Sequence, residues 1–361
     1  MSKYLKGETK DLHNQAMLRP RGLINTGNIC FMNCVLQSLI HCGPFYELMT
    51  YLNSKVQFKI NSTTPILDGL IEFIREYGQE DRSLHIDIDS GSKKLPPYLA
   101  ESFYNTISSH HKFKHLQRGR QEDAEEFLGY LLDALDDELR EAVESSSSAS
   151  SADPDPSQWI EVGKHSRHIQ SRHSGNTRAE TPIGRIFGGR FKSVLSSPTQ
   201  KSSSVTYDPF QHVQLDISEP HVDSIQDALD SLFHPEIIPY KTGKGFQVNA
   251  TKQVCVDRVP KVLIVHLKRF SFTFSGEITK ITKSIELTRD LSLSTPSALT
   301  HYKLFSVVYH HGPSATAGHY TVDLYSEDRW TGIDDIVILD GTKDGPPIES
   351  KTAYLLFYIR V

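Results

Sequence analysis

The order of apolar and polar positions divides the chain into a helical first third and a strand-rich remainder. From Cys30 onward, apolar residues fall at Phe31, Met32, Val35, Leu36, Leu39 and Ile40, the three-and-four spacing of an amphipathic helix with one buried stripe. Asn28 or Thr26 is placed to cap its start, and Gly43-Pro44 to stop it. A second such pattern runs through Leu67, Leu70, Ile71 and Ile74, and a shorter third carries Leu99, Phe103 and Ile107. The longest covers about 122 to 140, where Ala124, Phe127, Leu128, Leu131, Leu132 and Leu135 share one face. Glu122, Glu125 and Glu126 lie near its N-terminus, where the helix dipole favours negative charge.

Composition then shifts. The run SSSSASSADPDPS at 145 to 157 and the polar stretch to about Glu180 contain almost nothing to bury, so 145–180 reads as a flexible insertion. Beyond it, apolar runs at Val205–Ile217, Val259–Phe270, Leu304–Tyr309, Tyr320–Tyr325, Ile336–Leu339 and Tyr354–Ile359 predict strands, interrupted by one helix around Ile225 to Phe233. Helices followed by long strands predict an α+β protein. Residues 1–20 are polar and unpatterned, a tail ahead of a folded domain spanning 21–361.

A chain of 361 residues that is 38% hydrophobic can build a substantial core. A net charge of -5 gives no global reason to bind nucleic acid and suits a basic partner better. No stretch reaches the roughly 20 apolar residues of a membrane span, and MSKYLKGETKDLHNQ lacks a signal peptide's apolar core. The four cysteines stand at 30, 34, 42 and 255, a poor layout for a disulfide framework and consistent with a reducing compartment. The expectation is a soluble protein of the cytoplasm, with the nucleus open.

Two segments carry chemistry. In GLINTGNICFMNCVLQSL at 22–39, two glycines and two asparagines make an irregular loop that ends on a helix start, with Cys30 on the first turn. Free backbone N–H groups and the positive end of the dipole favour a thiolate there, the species that covalent acyl transfer needs. A free cysteine is more often a buried, inert hydrophobe, so position alone does not decide the matter. A metal pair with Cys34 one turn on is conceivable, but no second pair completes a tetrahedral site. Far downstream, YKLFSVVYHHGPSATAGHYTVDLYSEDRWTGIDDIVIL at 302–339 places His319 at the opening of a strand behind a glycine-containing loop. Asp334 follows fifteen residues later, read as beginning a third strand that brings a carboxylate to the imidazole. Among 17 histidines, spacing alone does not distinguish His319.

These segments resemble the signature boxes of the ubiquitin-specific proteases. The N-terminal box reads Gly22-Leu23-Ile24-Asn25-Thr26-Gly27-Asn28-Ile29-Cys30-Phe31-Met32-Asn33, and the C-terminal box ends in Gly318-His319-Tyr320. Between them, GRQEDAEEFLGYLLDAL at 119–135 and VPKVLIVHLKRFSF at 259–272 resemble the family's internal helix and strand motifs. The resemblance implies a papain-like cysteine protease built as a helical thumb, a β-rich palm and β-rich fingers. It implies a deubiquitinase that hydrolyses peptide and isopeptide bonds at the C-terminal glycine of ubiquitin. Cys30 maps to the nucleophile, His319 to the general base, Asp334 to the orienting carboxylate, Asp335 to a supporting acid and Asn25 to the oxyanion donor. Asp123, Glu126 and Tyr320 map to positions that hold ubiquitin's arginine-containing tail; favourable charge at a helix N-terminus accounts for the two acids equally well. His266, Lys268 and Arg269 read as structural.

Many family members bind zinc in the fingers through two pairs of cysteines. Here those positions are Ser197, Gln200, Lys241 and Lys244, which offer no zinc ligand set; the expectation is metal-free fingers and no cofactor. The pattern looks closest to a branch that works with a regulatory cofactor protein. The expected partners are therefore ubiquitin, ubiquitinated proteins and such a regulator, with the catalytic domain monomeric and touching neither nucleic acid nor membrane. Two rivals remain: a ubiquitin-binding scaffold on a dead protease fold, and a protease for a ubiquitin-like modifier.

Overall fold

The computed structural model describes residues 18–55, 62–79, 85–86, 93–146, 160–162, 169–173, 180–197, 203–241, 245, 247–272, 278–296, 298–314, 317–326, 328–340 and 350–361. Its helices are α1 (Cys30–Ile40), α2 (Gly43–Asn53), α3 (Pro65–Tyr77), α4 (Glu101–Ser109), α5 (Ala124–Ser146), α6 (Pro182–Phe187) and α7 (Ile225–Phe233). Beyond residue 146 the strands are β1 (Ile160–Val162), β2 (Ile169–His173), β3 (Gly189–Ser196), β4 (Ser204–Phe210), β5 (Val213–Leu215), β6 (Glu236–Lys241), β7 (Gln247–Arg258), β8 (Val262–Leu267), β9 (Phe270–Phe272) and β10 (Ile278–Lys280). They continue with β11 (Asp290–Ser294), β12 (Leu299–Ser314), β13 (Ala317–Ser326), β14 (Arg329–Asp334), β15 (Val337–Asp340) and β16 (Ala353–Arg360).

Helices α1 to α5 form one lobe against a central sheet of order β15-β14-β13-β12-β16-β8-β5, with β11 beside β12. Every residue of β8 is buried, because its two faces pack into different cores. Val262 and Ile264 meet the helical lobe, while Leu263, Val265 and Leu267 meet a second cluster with Ile225 and Leu229 of α7. A strand covered on both faces reads as a continuous apolar run rather than an alternation, which is why 262–267 stands out in the sequence. A second sheet, ordered β1-β2-β4-β3-β7-β6, forms the outlying arm. Of the former zinc positions, Ser197 follows β3 and Lys241 ends β6; Gln200 and Lys244 lie outside the described residues.

Several expectations are corrected. Helix α1 is not a one-stripe surface helix: all eleven of its residues are buried. Its polar residues are held inside, with Gln37 Nε2 donating to the Arg21 carbonyl (2.5 Å) and Gln37 Oε1 accepting from the Tyr77 hydroxyl (2.8 Å). Helix α1 does stop at Ile40, ahead of Gly43-Pro44 as expected, but those two residues also begin a helix that was not expected, α2, since proline suits a first helical turn. Leu99 precedes α4 and is 39% exposed. Segment 145–180, expected to be a flexible insertion, contributes β1 and β2 to the edge of the outlying sheet; backbone pairing needs no apolar side chains there. The rest of that segment from 147 to 179, and residues 1–17 of the expected tail, lie outside the described residues, whereas Leu18 packs against the helical core.

The carboxylate of Glu138 on α5 is buried and accepts from the backbone N–H groups of Ile66 (2.9 Å) and Leu67 (2.8 Å), satisfying the first turn of α3. Glu138→Ala leaves both donors unpaired and should lower the unfolding free energy by about 1–3 kcal/mol per group, read by urea denaturation. Burial pushes this carboxyl up to about 7, so the native state holds an extra proton above the ~4.3 of an unfolded glutamate. Its contribution to stability therefore falls as pH rises from ~4.3 towards neutrality, and Glu138→Gln should flatten that slope.

Candidate active site

Cys30 opens α1 behind a loop that only a few residue types can form. Gly27 (φ 82°) and Asn28 (φ 63°) both occupy the left-handed region, which glycine and asparagine tolerate best. Neither Asn28 nor Thr26 caps the helix. No side chain caps it at its N-cap residue, Ile29; just ahead of the helix, Asn25 Oδ1 accepts from Ile29 N–H (2.9 Å), while its Nδ2 donates to Asp335 Oδ2 (3.1 Å). Asn28 instead donates through Nδ2 to the Gly119 carbonyl (2.8 Å). One Asn25 N–H is thus engaged and the other has no partner among the described residues, in an orientation fixed from both sides.

The central sheet supplies the imidazole. Strands β12 and β13 form a hairpin with His311 opposite His319, and β14 pairs with β13 with Val322 opposite Ile333. Asp334 therefore ends the third strand rather than beginning it, and the turn to β15 follows at Asp335, which is left-handed at φ 48°. His319 Nε2 lies 2.6 Å from Asp334 Oδ1. The interaction with the Cys30 side chain, and then that with Asp334, raises its pKa from the ordinary histidine value to about 9. With Nε2 taken by the carboxylate, Nδ1 is the ring nitrogen left for sulfur. The imidazole is therefore held in its charged form at neutral pH.

The other thiols differ in kind. Burial pushes Cys34 well up and Cys42 up to about 12, which keeps both protonated and inert.

The structure brings Asn25, Cys30, His319, Asp334 and Asp335 together and treats the three tail positions differently. Asp123 caps α5, its Oδ1 accepting from Glu125 N–H (2.7 Å) and its Oδ2 from the Tyr354 hydroxyl (2.5 Å). Burial raises its carboxyl to about 6. Glu126 is exposed on the same helix. Tyr320 is 1% exposed, so its ring belongs to the core, and its hydroxyl accepts from Ala124 N–H (3.4 Å) at the start of α5. Tyr320, expected to meet the ubiquitin tail, is turned inward in this structure. His266 is buried, and desolvation lowers its pKa to about 4. Arg269, fully buried, donates to the carbonyls of Ala353, Ile281, Lys283 and Ser350; both read as structural, as expected.

Two features escaped the sequence reading. Glu125 Oε1 accepts from Gln214 Nε2 (3.1 Å) and lies 2.7 Å from His212 Nε2, joining α5 to the palm. Gln121 hydrogen-bonds both backbone groups of Gly318, accepting from its N–H at 2.6 Å and donating to its carbonyl. Neither pairing has a signal in local spacing, since each joins segments far apart in sequence.

A thiol on a helix N-terminus, an imidazole and a carboxylate in that chain order, shared between a helical lobe and a β-sheet, define a papain-like cysteine hydrolase. The family model described as ubiquitin carboxyl-terminal hydrolase matches residues 21–358. The chain belongs to this family of cysteine-type deubiquitinating enzymes. It is 36% identical over 95% of its length to a probable ubiquitin carboxyl-terminal hydrolase 3 of Schizosaccharomyces pombe, covering 74% of that protein. To ubiquitin carboxyl-terminal hydrolase 10 of Rattus norvegicus it is 33% identical over 97% of its length, covering 49% of that relative. The chain thus spans about half the length of some curated relatives. The solved structure of the Ubp8/Sgf11/Sus1/Sgf73 module bound to ubiquitin aldehyde matches with a TM-score of 0.70, 22% identity, and coverage of 95% of this chain and 70% of that one. That likeness establishes the thumb, palm and fingers architecture.

The raised His319 pKa has a measurable sign. The imidazolium contributes stability that is fully present below the ~6.5 of an unfolded histidine and is lost as pH rises through about 9. NMR titration of the His319 ring should give a midpoint near that value in the wild type, and Cys30→Ala should move it down more than Asp334→Asn does.

Proposed function

We propose that Cys30, His319, Asp334 and Asn25 carry out the family's reaction in this chain: hydrolysis of the bond between the C-terminal glycine of ubiquitin and a lysine amine or following residue. The observation that carries this reading is the imidazole of His319, held between Asp334 on the palm and Cys30 on the thumb. The Cys30 thiolate attacks the glycine carbonyl carbon, forming a C–S bond and moving an electron pair onto oxygen. The free Asn25 N–H and the Cys30 backbone N–H receive that oxyanion. As the tetrahedral species collapses, the C–N bond breaks and His319 gives its proton to the departing amine. The neutral imidazole then takes a proton from water, whose oxygen attacks the thioester. Cleavage of the C–S bond frees ubiquitin and restores the thiolate beside the imidazolium.

Asp334 orients the ring, and Asp335 fixes the Asn25 amide rather than the imidazole. Glu126, with its exposed carboxylate, is the residue best placed to meet an arginine of the ubiquitin tail. Asp123 supports it by holding the start of α5. The catalytic domain spans 21–361, the proteins it acts on are ubiquitin conjugates, and a regulatory protein is a further partner. It works as a monomer in the cytoplasm and nucleus. All four cysteines are free thiols, which suits a reducing compartment, and no described helix is long and apolar enough to cross a membrane. Positions Ser197 and Lys241 offer no thiolate, which supports fingers held by strand packing without zinc.

Release of a fluorophore from the C-terminus of ubiquitin should be abolished by Cys30→Ala. Well-folded wild type that binds ubiquitin without cleaving it would overturn the reading in favour of a scaffold, and preferential cleavage of a ubiquitin-like modifier would reassign the substrate. Asn25→Ala should lower kcat about 100- to 1,000-fold; a loss confined to KM would count against its oxyanion role. On the alkaline side, kcat/KM should fall as pH passes about 9, where His319 loses the proton it must donate.

A further inference from the structure

The nucleophile and the base belong to different lobes, and one short turn touches both of their supports. At one end of that turn, Gly119 N–H donates to the Gly27 carbonyl (3.0 Å) and the Gly119 carbonyl accepts from Asn28 Nδ2 (2.8 Å), within the loop that leads to Cys30. At the other end, Gln121 hydrogen-bonds both backbone groups of Gly318, the residue before His319. The turn itself is closed by Arg120 N–H donating to the Gln117 carbonyl (3.0 Å), with Gly119 left-handed at φ 88°.

The opposite arm of the hairpin is held as well. Lys280 Nζ donates to the carbonyls of His310 (2.7 Å) and Gly312 (2.8 Å). Gly318 sits so tightly between the arms that a Cβ there would lie 2.3 Å from the His311 carbonyl oxygen. Lys280 acts within the palm, so it cannot set where the hairpin stands relative to the thumb. Gln121 can, because its amide alternates donor and acceptor to match one peptide unit on each side.

We propose that Gln121 is a positioning residue for the general base, and that residues 117–121 form a strut fixing His319 relative to the Cys30 loop. This rests on the catalytic roles proposed for Cys30 and His319, since the strut has a function only if those two side chains react together. A misplacement of about 1 Å is enough to cost on the order of 100-fold in rate, so a two-point clamp one residue from the imidazole controls kcat rather than binding.

The test compares wild type with Gln121→Ala and Gln121→Glu in three measurements: thermal unfolding, ubiquitin–fluorophore hydrolysis, and NMR titration of the His319 ring, assigned by its disappearance in His319→Asn. Gln121→Glu keeps the acceptor for Gly318 N–H and nearly the same volume, but sets a carboxylate oxygen against the Gly318 carbonyl. Both variants are expected to stay folded, to lose about 10- to 100-fold in kcat with KM within about twofold, and to show a lowered His319 midpoint as contact with Cys30 loosens. If Gln121→Ala fails to fold, Gln121→Glu carries the comparison. Folded variants with wild-type kcat and an unchanged His319 titration overturn the proposal, as does a loss that appears only in KM. Wild type that cleaves no ubiquitin would overturn the catalytic reading instead, while a His319 midpoint unmoved in the variants would still refute the clamp.

Discussion

Everything in this molecule depends on burying α1 on all sides. A helix that donates eleven consecutive residues to the interior must be enclosed by other elements, and here α2, α5 and the palm strands β12 and β13 enclose it. Such enclosure fixes the position of its N-terminus as firmly as that of any core atom, because close-packed interiors leave no room for adjustment. Cys30 sits at that terminus. Its placement against His319 is therefore a consequence of core packing, with the Ser38–Ser306 hydroxyl contact (2.8 Å) marking how closely helix and sheet approach.

The second half of the site is built on the most regular part of the fold. Three antiparallel strands carry His319 and Asp334 at their ends, so backbone pairing alone sets the spacing between imidazole and carboxylate. Polar groups then complete what packing starts: Asp335 turns the Asn25 amide, and Asn25 holds the backbone of Ile29 just ahead of α1. The atoms proposed for the chemistry thus also serve the structure. Rigid scaffolding with function at element ends is how a preorganised site avoids reorganisation during reaction.

Much of the fold was legible because its elements are strongly patterned. The apolar spacing of 124–135 gave α5, and the unbroken run at 262–267 gave the buried palm strand. Strands β3, β6 and β7 of the outlying sheet were missed, since their residues are half-exposed and mix polar with apolar types. The helix α2 was missed because Gly43-Pro44 reads as a stop in isolation. The burial of Gln37, Asn33 and Ser38 could not be read from a helical wheel, which assigns polar residues to the outside. Whether a polar side chain faces solvent or an internal partner depends on what the rest of the chain brings to it.

By itself, the sequence determined the family and so the class of chemistry, and it pointed to the residues proposed to carry it: a glycine- and asparagine-rich loop before Cys30, and Gly318-His319-Tyr320 far downstream, in four motifs kept in order. Tertiary structure decided which of the matched residues are free to act. It turned Tyr320 into the core, committed Asp123 to a helix cap and Tyr354, left Glu126 exposed, and joined Gln121 to Gly318 across 197 positions. The physical reason is that a side chain's type is local information, whereas its burial, its hydrogen-bond partner and hence its protonation are properties of the segments packed around it.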